Sequence, residues 1–290
     1  MFCSPLRYPG GKGKLAPLMK LLVEETHHTG GTYIEPFAGG AGIALDLLEN
    51  NIVGQIVIND LDKGVYSFWR AILTETDRFV NCINNIPLNM EEWHNQRLII
   101  LNSPHKYSFE LGFATFYMNR TNRSGIIHGG VIGGKDQTGN WKIDARFNRN
   151  TLTNRILKIA ERKECIHLYN KDVSSFITNY LPKYEDNALI YFDPPYFKKG
   201  KQLYLNFLSS NDHIRIRNLI NESVRCDWVI TYDNVPEIEQ IYADHIIKRF
   251  DLNYSAGIKR TSSEIIIFKD ENMVPQNDFL ERKGMHINLR

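Results

Sequence analysis

The 290-residue chain is 42% hydrophobic, enough to bury a substantial core as one large domain or as a core with an insertion. No run approaches the ~18 apolar residues of a membrane span, Met1–Arg7 lacks a signal peptide's apolar stretch, and the expected location is the cytoplasm. Cys3, Cys82, Cys165 and Cys226 are scattered without a C-x-x-C pair, so no metal or disulfide framework is expected; the net charge of +2 divides unevenly, Asn119 to Lys163 carrying ten Lys and Arg against three acids, +7, and leaving −5 elsewhere.

In chain order, Arg7-Tyr8-Pro9-Gly10-Gly11-Lys12-Gly13-Lys14 precedes a helical pattern of Leu15, Leu18, Met19 and Leu22. It resembles a phosphate loop only superficially: Leu6 stands where the first glycine belongs and Gly13 where the hydroxyl belongs, which excludes nucleoside triphosphate hydrolysis. Thr32 to Phe37 reads as a strand running through Ala38-Gly39-Gly40-Ala41-Gly42 into a helical run from Ile43 to Leu48, and a second strand, Gln55 to Ile58, ends at Asn59-Asp60. In this βαβ unit the glycines let backbone approach a ligand, and Asp60, 18 residues past Gly42, is placed to accept both ribose hydroxyls of an adenosine-containing cofactor. Leu45 replaces the third glycine of a dinucleotide fingerprint, and Glu35 would repel a pyrophosphate. A cofactor with a cationic end and no phosphate fits better, and S-adenosyl-L-methionine is that cofactor.

Lys63 to about Tyr107 is helical in pattern, and Phe109 to Arg120 continues as an aromatic-rich helix whose stripe is expected to be core. The pattern breaks at Thr121-Asn122-Arg123-Ser124-Gly125. Six glycines between Gly125 and Gly139 then flank Val131-Ile132 and lead to Trp141-Lys142-Ile143, read as a mobile β-hairpin. One strongly basic segment in a mildly acidic body suggests an inserted polyanion-binding module. Arg and Asn are the side chains that pair bidentately with guanine and adenine edges, so Asn119, Arg120, Asn122, Arg123, Ser124, Lys135, Lys142 and Arg146 are the candidate DNA contacts. A basic helix from Asn150 to Lys163, apolar at Leu152, Ile156, Leu157 and Ile159, returns the chain to the body.

Five further strands are expected: Ile166 to Tyr169, Leu189 to Phe192, Trp228 to Thr231, Ile246 to Phe250 and Glu264 to Phe268, seven in all. Four strands end near Asp60, Asp172, Asp193 and Asp233, which gathers carboxylates at the ligand-binding edge of an open α/β sheet. The third of these aspartates opens Asp193-Pro194-Pro195-Tyr196, a stiff turn read as the catalytic loop. Polar residues after Lys269 suggest a loosely held tail.

Together these stretches resemble the Dam-like DNA adenine N6-methyltransferases. The motifs are Tyr-x-Gly-Gly-Lys at 8 to 12, Glu-Pro-Phe-Ala-Gly-Gly-Ala-Gly at 35 to 42, Asn-Asp at 59 and 60, Asn-Arg-Thr at 119 to 121, Lys-Asp-Val at 171 to 173, and the D-P-P-Y, spanning Tyr8 to Phe268. The resemblance implies a Rossmann-like seven-stranded methyltransferase sheet with helices on both faces, plus an inserted, mainly helical target-recognition region with a β-hairpin. Residues 1–62 and 164–270 would form the cofactor-binding catalytic domain, 63–163 the DNA-binding insertion, and 271–290 a polar tail. It implies Tyr8, Lys12, Glu35, Phe37, Gly39, Gly40, Asp60 and Asp193 around S-adenosyl-L-methionine, Asp172 with Val173 at its adenine ring, and Asp193, Pro194, Pro195 and Tyr196 in catalysis without a metal. Double-stranded DNA is the implied partner; a cognate restriction endonuclease and a monomeric or weakly dimeric state stay open. The competing readings are methylation of another amine (cytosine N4, RNA adenine or protein glutamine) and an idle DNA-binding regulator with the same fold.

Overall fold

The computed structural model describes residues 4–7, 12–103, 107–197, 208–254, 260–282, 287 and 289–290. A seven-stranded sheet runs in the order β3-β2-β1-β4-β5-β7-β6. β1 (Thr32–Glu35), β2 (Gln55–Asn59), β3 (Ile166–Tyr169), β4 (Ala188–Phe192) and β5 (Asp227–Asp233) are parallel, and β7 (Arg260–Phe268) is antiparallel between β5 and β6 (Ile246–Tyr254). The seven expected strands are all present.

The period of two along each strand sorts side chains into two cores. Tyr33, Leu189, Tyr191 and Ile266 join the core that holds α1 (Ala16–Glu25) and α2 (Gly42–Glu49). Their neighbours Ile34, Ile190, Phe192 and Ile265 join the opposite core with α8 (Val173–Asn179), α9 (Ser210–Ser223) and α10 (Pro236–Ile241). Covered on both faces, β1 and β4 are buried throughout, which is why they read as nearly continuous apolar runs.

Between β2 and β3 the chain adds α3 (Lys63–Thr74), α4 (Thr76–Asn85), α5 (Met90–Leu101), α6 (Phe109–Thr121) and α7 (Arg149–Glu161). The aromatic stripe of α6 is core, with Phe116 stacked on Phe68 at 5.9 Å and Phe113 edge-on to Phe79 at 5.2 Å. α3 and α6 cross at small residues: a Cβ on Gly112 would lie 2.4 Å from the Ser67 carbonyl, so glycine sets how close the helices come. These rings belong to the same apolar cluster as α1 and α2, so the inserted helices share their core with one sheet face.

Two expectations are corrected. The β-hairpin reduces, among the described residues, to one antiparallel bridge between Asn122 and Val131 followed by turns. Positive φ at Gly125, Gly133, Gly134 and Gln137 breaks any ladder, and the Gln137 side chain substitutes for it, donating to the Ile132 and Gly134 carbonyls and accepting from Ile143 N–H. The described residues of the polar tail are docked rather than loose. Leu280 of α11 (Asn277–Arg282) is buried, Asn277 clamps both backbone groups of Leu289, and Arg290 exchanges two backbone hydrogen bonds with Arg249 on β6 at 2.7 and 2.9 Å.

At the opposite edge of the sheet from the strand-end aspartates, His28 joins three segments. Its ring nitrogens lie 3.0 Å from Asn187 Oδ1 and 3.0 Å from Asp227 Oδ2, an arrangement that only the doubly protonated imidazolium satisfies with two donors. The hydrogen bond to Asp227 raises the His28 pKa despite burial, and the same bond lowers that of Asp227. A raised histidine contributes stability that is full below its unfolded value of ~6.5 and lost as pH climbs through the folded value, while a depressed aspartate loses its contribution only on acidification. In urea titrations, the stability advantage of wild type over His28→Gln should therefore be largest near pH ~5–6 and shrink on the alkaline side. An advantage that grew steadily between neutrality and pH ~9 would contradict the charged pairing.

Candidate active site

The parallel strands deliver their C-terminal ends to one edge. β4 ends directly in Asp193, and the buried Lys12 arrives from the N-terminal segment just before α1. Lys12 Nζ donates to Thr231 Oγ1 at 3.1 Å and forms ion pairs with Glu264 Oε2 at 2.7 Å and Asp193 Oδ1 at 3.2 Å. Thr231, in turn, donates to Asp193 Oδ1 at 3.1 Å and pairs with the Tyr191 hydroxyl at 2.7 Å. Tyr196 donates its hydroxyl to Glu264 Oε1 at 2.8 Å and lies with its ring 5.1 Å from Lys12 Nζ. The backbone N–H of Phe197, just beyond the motif, is held by Asp233 Oδ1. Burial alone would lower the Lys12 pKa, but Asp193 and Glu264 together outweigh it and raise it, so the ammonium stays charged. One cation between two carboxylates leaves one negative charge in excess, and burial, with Glu264 adding to it, raises the Asp193 pKa against the pull of Lys12.

The glycine turn between β1 and α2 is built by acids and by one insertion residue. Asp60 accepts Gly39 N–H through Oδ2 and Asp62 N–H through Oδ1, each at 2.8 Å, and Trp69 on α3 donates its indole N–H to the Gly39 carbonyl at 2.9 Å. Gly39 and Ala41 adopt positive φ of 48° and 46°, the left-handed geometry of a tight turn. Asn59 ties three strand ends together, donating to the Pro36 and Lys171 carbonyls and accepting Lys171 N–H. Glu35 accepts Ala44 N–H at 3.1 Å in the first turn of α2. Burial, with Asp193 adding to it, raises Glu35 to about 8 despite that bond, and burial with Asp62 raises Asp60 to about 7 against its two amide donors.

This donor set fits S-adenosyl-L-methionine. Glu35, Asp60, Asp172 and Asp193 make the edge acidic, unsuited to phosphates, and a cation placed beside the raised carboxyls would favour their ionised form. Asp60 keeps lone pairs for hydroxyl donors after its two amide bonds. Asp172 is exposed and caps α8 through Ser174 N–H, Val173 next to it is buried, and Phe37 is half-buried beside the core. Gly40 completes the turn. Tyr8 lies outside the described residues. Glu264, Thr231 and Trp69 lie outside the motifs, and Asn59 lies within one that assigned it no role; the one signal for Glu264 is an acid opening the apolar run Ile265-Ile266-Ile267-Phe268.

The basic insertion divides into interior and surface. Asn119, Arg120 and Asn122, expected at DNA, are buried, and their partners are backbone groups and, for Asn122, also the Trp93 indole. Asn119 accepts Arg7 N–H and donates to the Arg7 and Gly125 carbonyls. Asn122 accepts the Trp93 indole N–H at 2.7 Å and donates to the Ile126 and Ile127 carbonyls. Arg120 donates to the Arg146 and Pro5 carbonyls, and burial, then Arg7, Arg155 and Arg146, lowers it to about 9. Asn119 and Arg120 tie the insertion to Arg7 and Pro5 of the N-terminal segment, while Asn122 ties α5 to the turn after α6. Arg123, Ser124, Lys135, Lys142 and Arg146 are exposed, joined by Trp141 at 72% exposure, a residue that no motif singles out.

A family model described as D12 class N6 adenine-specific DNA methyltransferase matches residues 8–256. Among solved structures, the chain is similar to a Pyrococcus horikoshii protein with a proposed RNA methyltransferase activity (TM-score 0.42, 10% identity, 91% of this chain and 83% of that one). It is also similar to a SAM-dependent methyltransferase from Agrobacterium tumefaciens (0.41, 12%, 88% and 61%) and to an rRNA methyltransferase from Streptomyces viridochromogenes (0.37, 10%, 88% and 83%).

Removing a buried amide that serves three partners strands polar groups, so Asn122→Ala should lower unfolding free energy by ~2–3 kcal/mol in chemical denaturation. Arg123→Ala, at an exposed position, should stay within ~0.5 kcal/mol of wild type. Equal denaturation midpoints for wild type and Asn122→Ala would restore Asn122 as a surface residue.

Proposed function

The chain belongs to the D12 class of N6 adenine-specific DNA methyltransferases, and on that premise we propose that it moves the methyl group of S-adenosyl-L-methionine to the exocyclic N6 amine of an adenine swung out of double-stranded DNA. The observation that carries the reading is how Asp193 is held. Lys12 and Thr231 both approach Oδ1, and among the described residues Oδ2 is left for an incoming N–H.

An aromatic amine is a poor nucleophile because its lone pair is delocalised into the ring. Asp193 Oδ2 and the Pro194 carbonyl each accept one N6–H, which turns the lone pair out of conjugation and orients it. Pro194 and Pro195 fix φ and carry no N–H, so the accepting carbonyl stays aimed. Tyr196, anchored through Glu264, forms a wall of the base pocket, and extruding the base costs a few kcal/mol that stacking and hydrogen bonds in the pocket offset. S-adenosyl-L-methionine would supply there an electrophilic sulfonium methyl whose leaving group is the neutral thioether.

The turns from Arg123 to Arg146 carry the DNA. Arg123, Lys135, Lys142 and Arg146 meet phosphates or base edges, and Ser124 and Trp141 stand exposed among them.

Asp193→Ala should fold and bind cofactor yet lose at least about a hundredfold in methyl transfer. Nucleoside mass spectrometry of treated DNA should show N6-methyladenine with wild type only. N4-methylcytosine in its place, or a fully active Asp193→Ala, refutes the reading. The pair Arg123→Ala with Lys142→Ala should weaken DNA binding and flatten its salt dependence by roughly one unit of slope for each phosphate left without its cation, with thermal stability unchanged. Wild-type affinity and slope in that variant would move the DNA seat elsewhere.

A further inference from the structure

We propose that Glu264 on β7 is a positioning residue for the methyl transfer: by taking up the charge of Lys12 it leaves Asp193 its negative charge for the amine, and by accepting the Tyr196 hydroxyl it fixes the pocket wall. This rests on the function proposed above and goes beyond it, since no motif includes Glu264.

The geometry is that of one residue serving two members of the catalytic loop. Glu264 is 1% exposed and spends Oε2 on Lys12 at 2.7 Å and Oε1 on Tyr196 at 2.8 Å. Lys12 sits nearer to Glu264 than to Asp193, at 2.7 against 3.2 Å. Asp193 has 26% of its side chain exposed, against 1% for Glu264, so it is the carboxylate open to a ligand. During transfer the N6–C bond forms as the sulfonium S–C bond breaks, the bonding pair goes to sulfur, and N6 is positive until it gives a proton to water. A Lys12–Asp193 pair standing alone is neutral and stabilises that charge poorly. Lys12 with both carboxylates carries one net negative charge, aimed at the amine through Asp193, in a site where low dielectric magnifies it. Glu35 and the hydroxyls of Tyr33, Tyr191, Tyr196 and Tyr232 also face this group, from β1, β4, the loop after β4 and β5.

Glu264→Gln keeps the size of the side chain and removes its charge. Single-turnover kcat should fall about 10- to 100-fold with cofactor affinity by isothermal titration nearly unchanged. Glu264 raises the pKa of Asp193, so its neutralisation should move the acid limb of the kcat–pH profile to lower pH. The 13Cγ titration of Asp193 in the ligand-free protein should shift the same way. Glu264→Asp keeps the charge and should keep both midpoints in place, and it carries the decision if Glu264→Gln does not fold. Unmoved midpoints in Glu264→Gln, loss of cofactor binding in proportion to rate, or lowered midpoints in Glu264→Asp would each overturn the proposal. The carbon titration needs no activity, so a wild type that leaves adenine unmodified sinks the methyltransferase reading while still testing Glu264.

Discussion

A single ammonium group, that of Lys12, holds the candidate catalytic edge together. A buried lysine is tolerated only when its charge and its three donors are met, since taking an ion out of water costs several kcal/mol and removing one partner of a buried pair strands the other. Lys12 meets that demand with groups from three places: Asp193 after β4, Thr231 on β5 and Glu264 on β7. The requirement works in both directions. It seats the N-terminal segment on the sheet, and it fixes which oxygen of Asp193 is spent and which is left for a substrate.

The cofactor side is organised by the same means, polar side chains closing loops that the strands merely bring near. Asp60 shapes the turn at Gly39 from one side and Trp69 from the other, so a residue of the insertion is part of the cofactor loop's support. With Asn59 joining the ends of β1, β2 and β3, the ligand edge and the inserted helices are built on one packed core.

Arg123 and Asn122 show where local sequence stops being informative. Both lie in a basic, glycine-rich stretch and both residue types suit base edges, yet one is exposed and the other is fully buried under Trp93, Ile126 and Ile127. Asn119 and Arg120 were misplaced for the same reason. Their partners Arg7 and Pro5 are more than a hundred residues away, and nothing within a window of ten residues distinguishes a satisfied interior amide from a reader of DNA.

The sequence by itself determined the sheet, the order of its parts and the acids at its edge. Buried parallel strands must be apolar throughout, and turns at strand ends must carry glycine, proline or a carboxylate, so Glu35, Asp60, Asp172 and the Asp193 loop were legible as local patterns. Only the tertiary structure decided which polar side chains are spent on one another. That Glu264, an acid at the head of an apolar run, reaches both Lys12 and Tyr196 depends on β7 running antiparallel beside β5, and that Asn122 faces inward depends on α5 presenting Trp93. Charge pairing and hydrogen-bond satisfaction are properties of neighbours in space, and the chain writes those neighbours from tens to hundreds of residues apart.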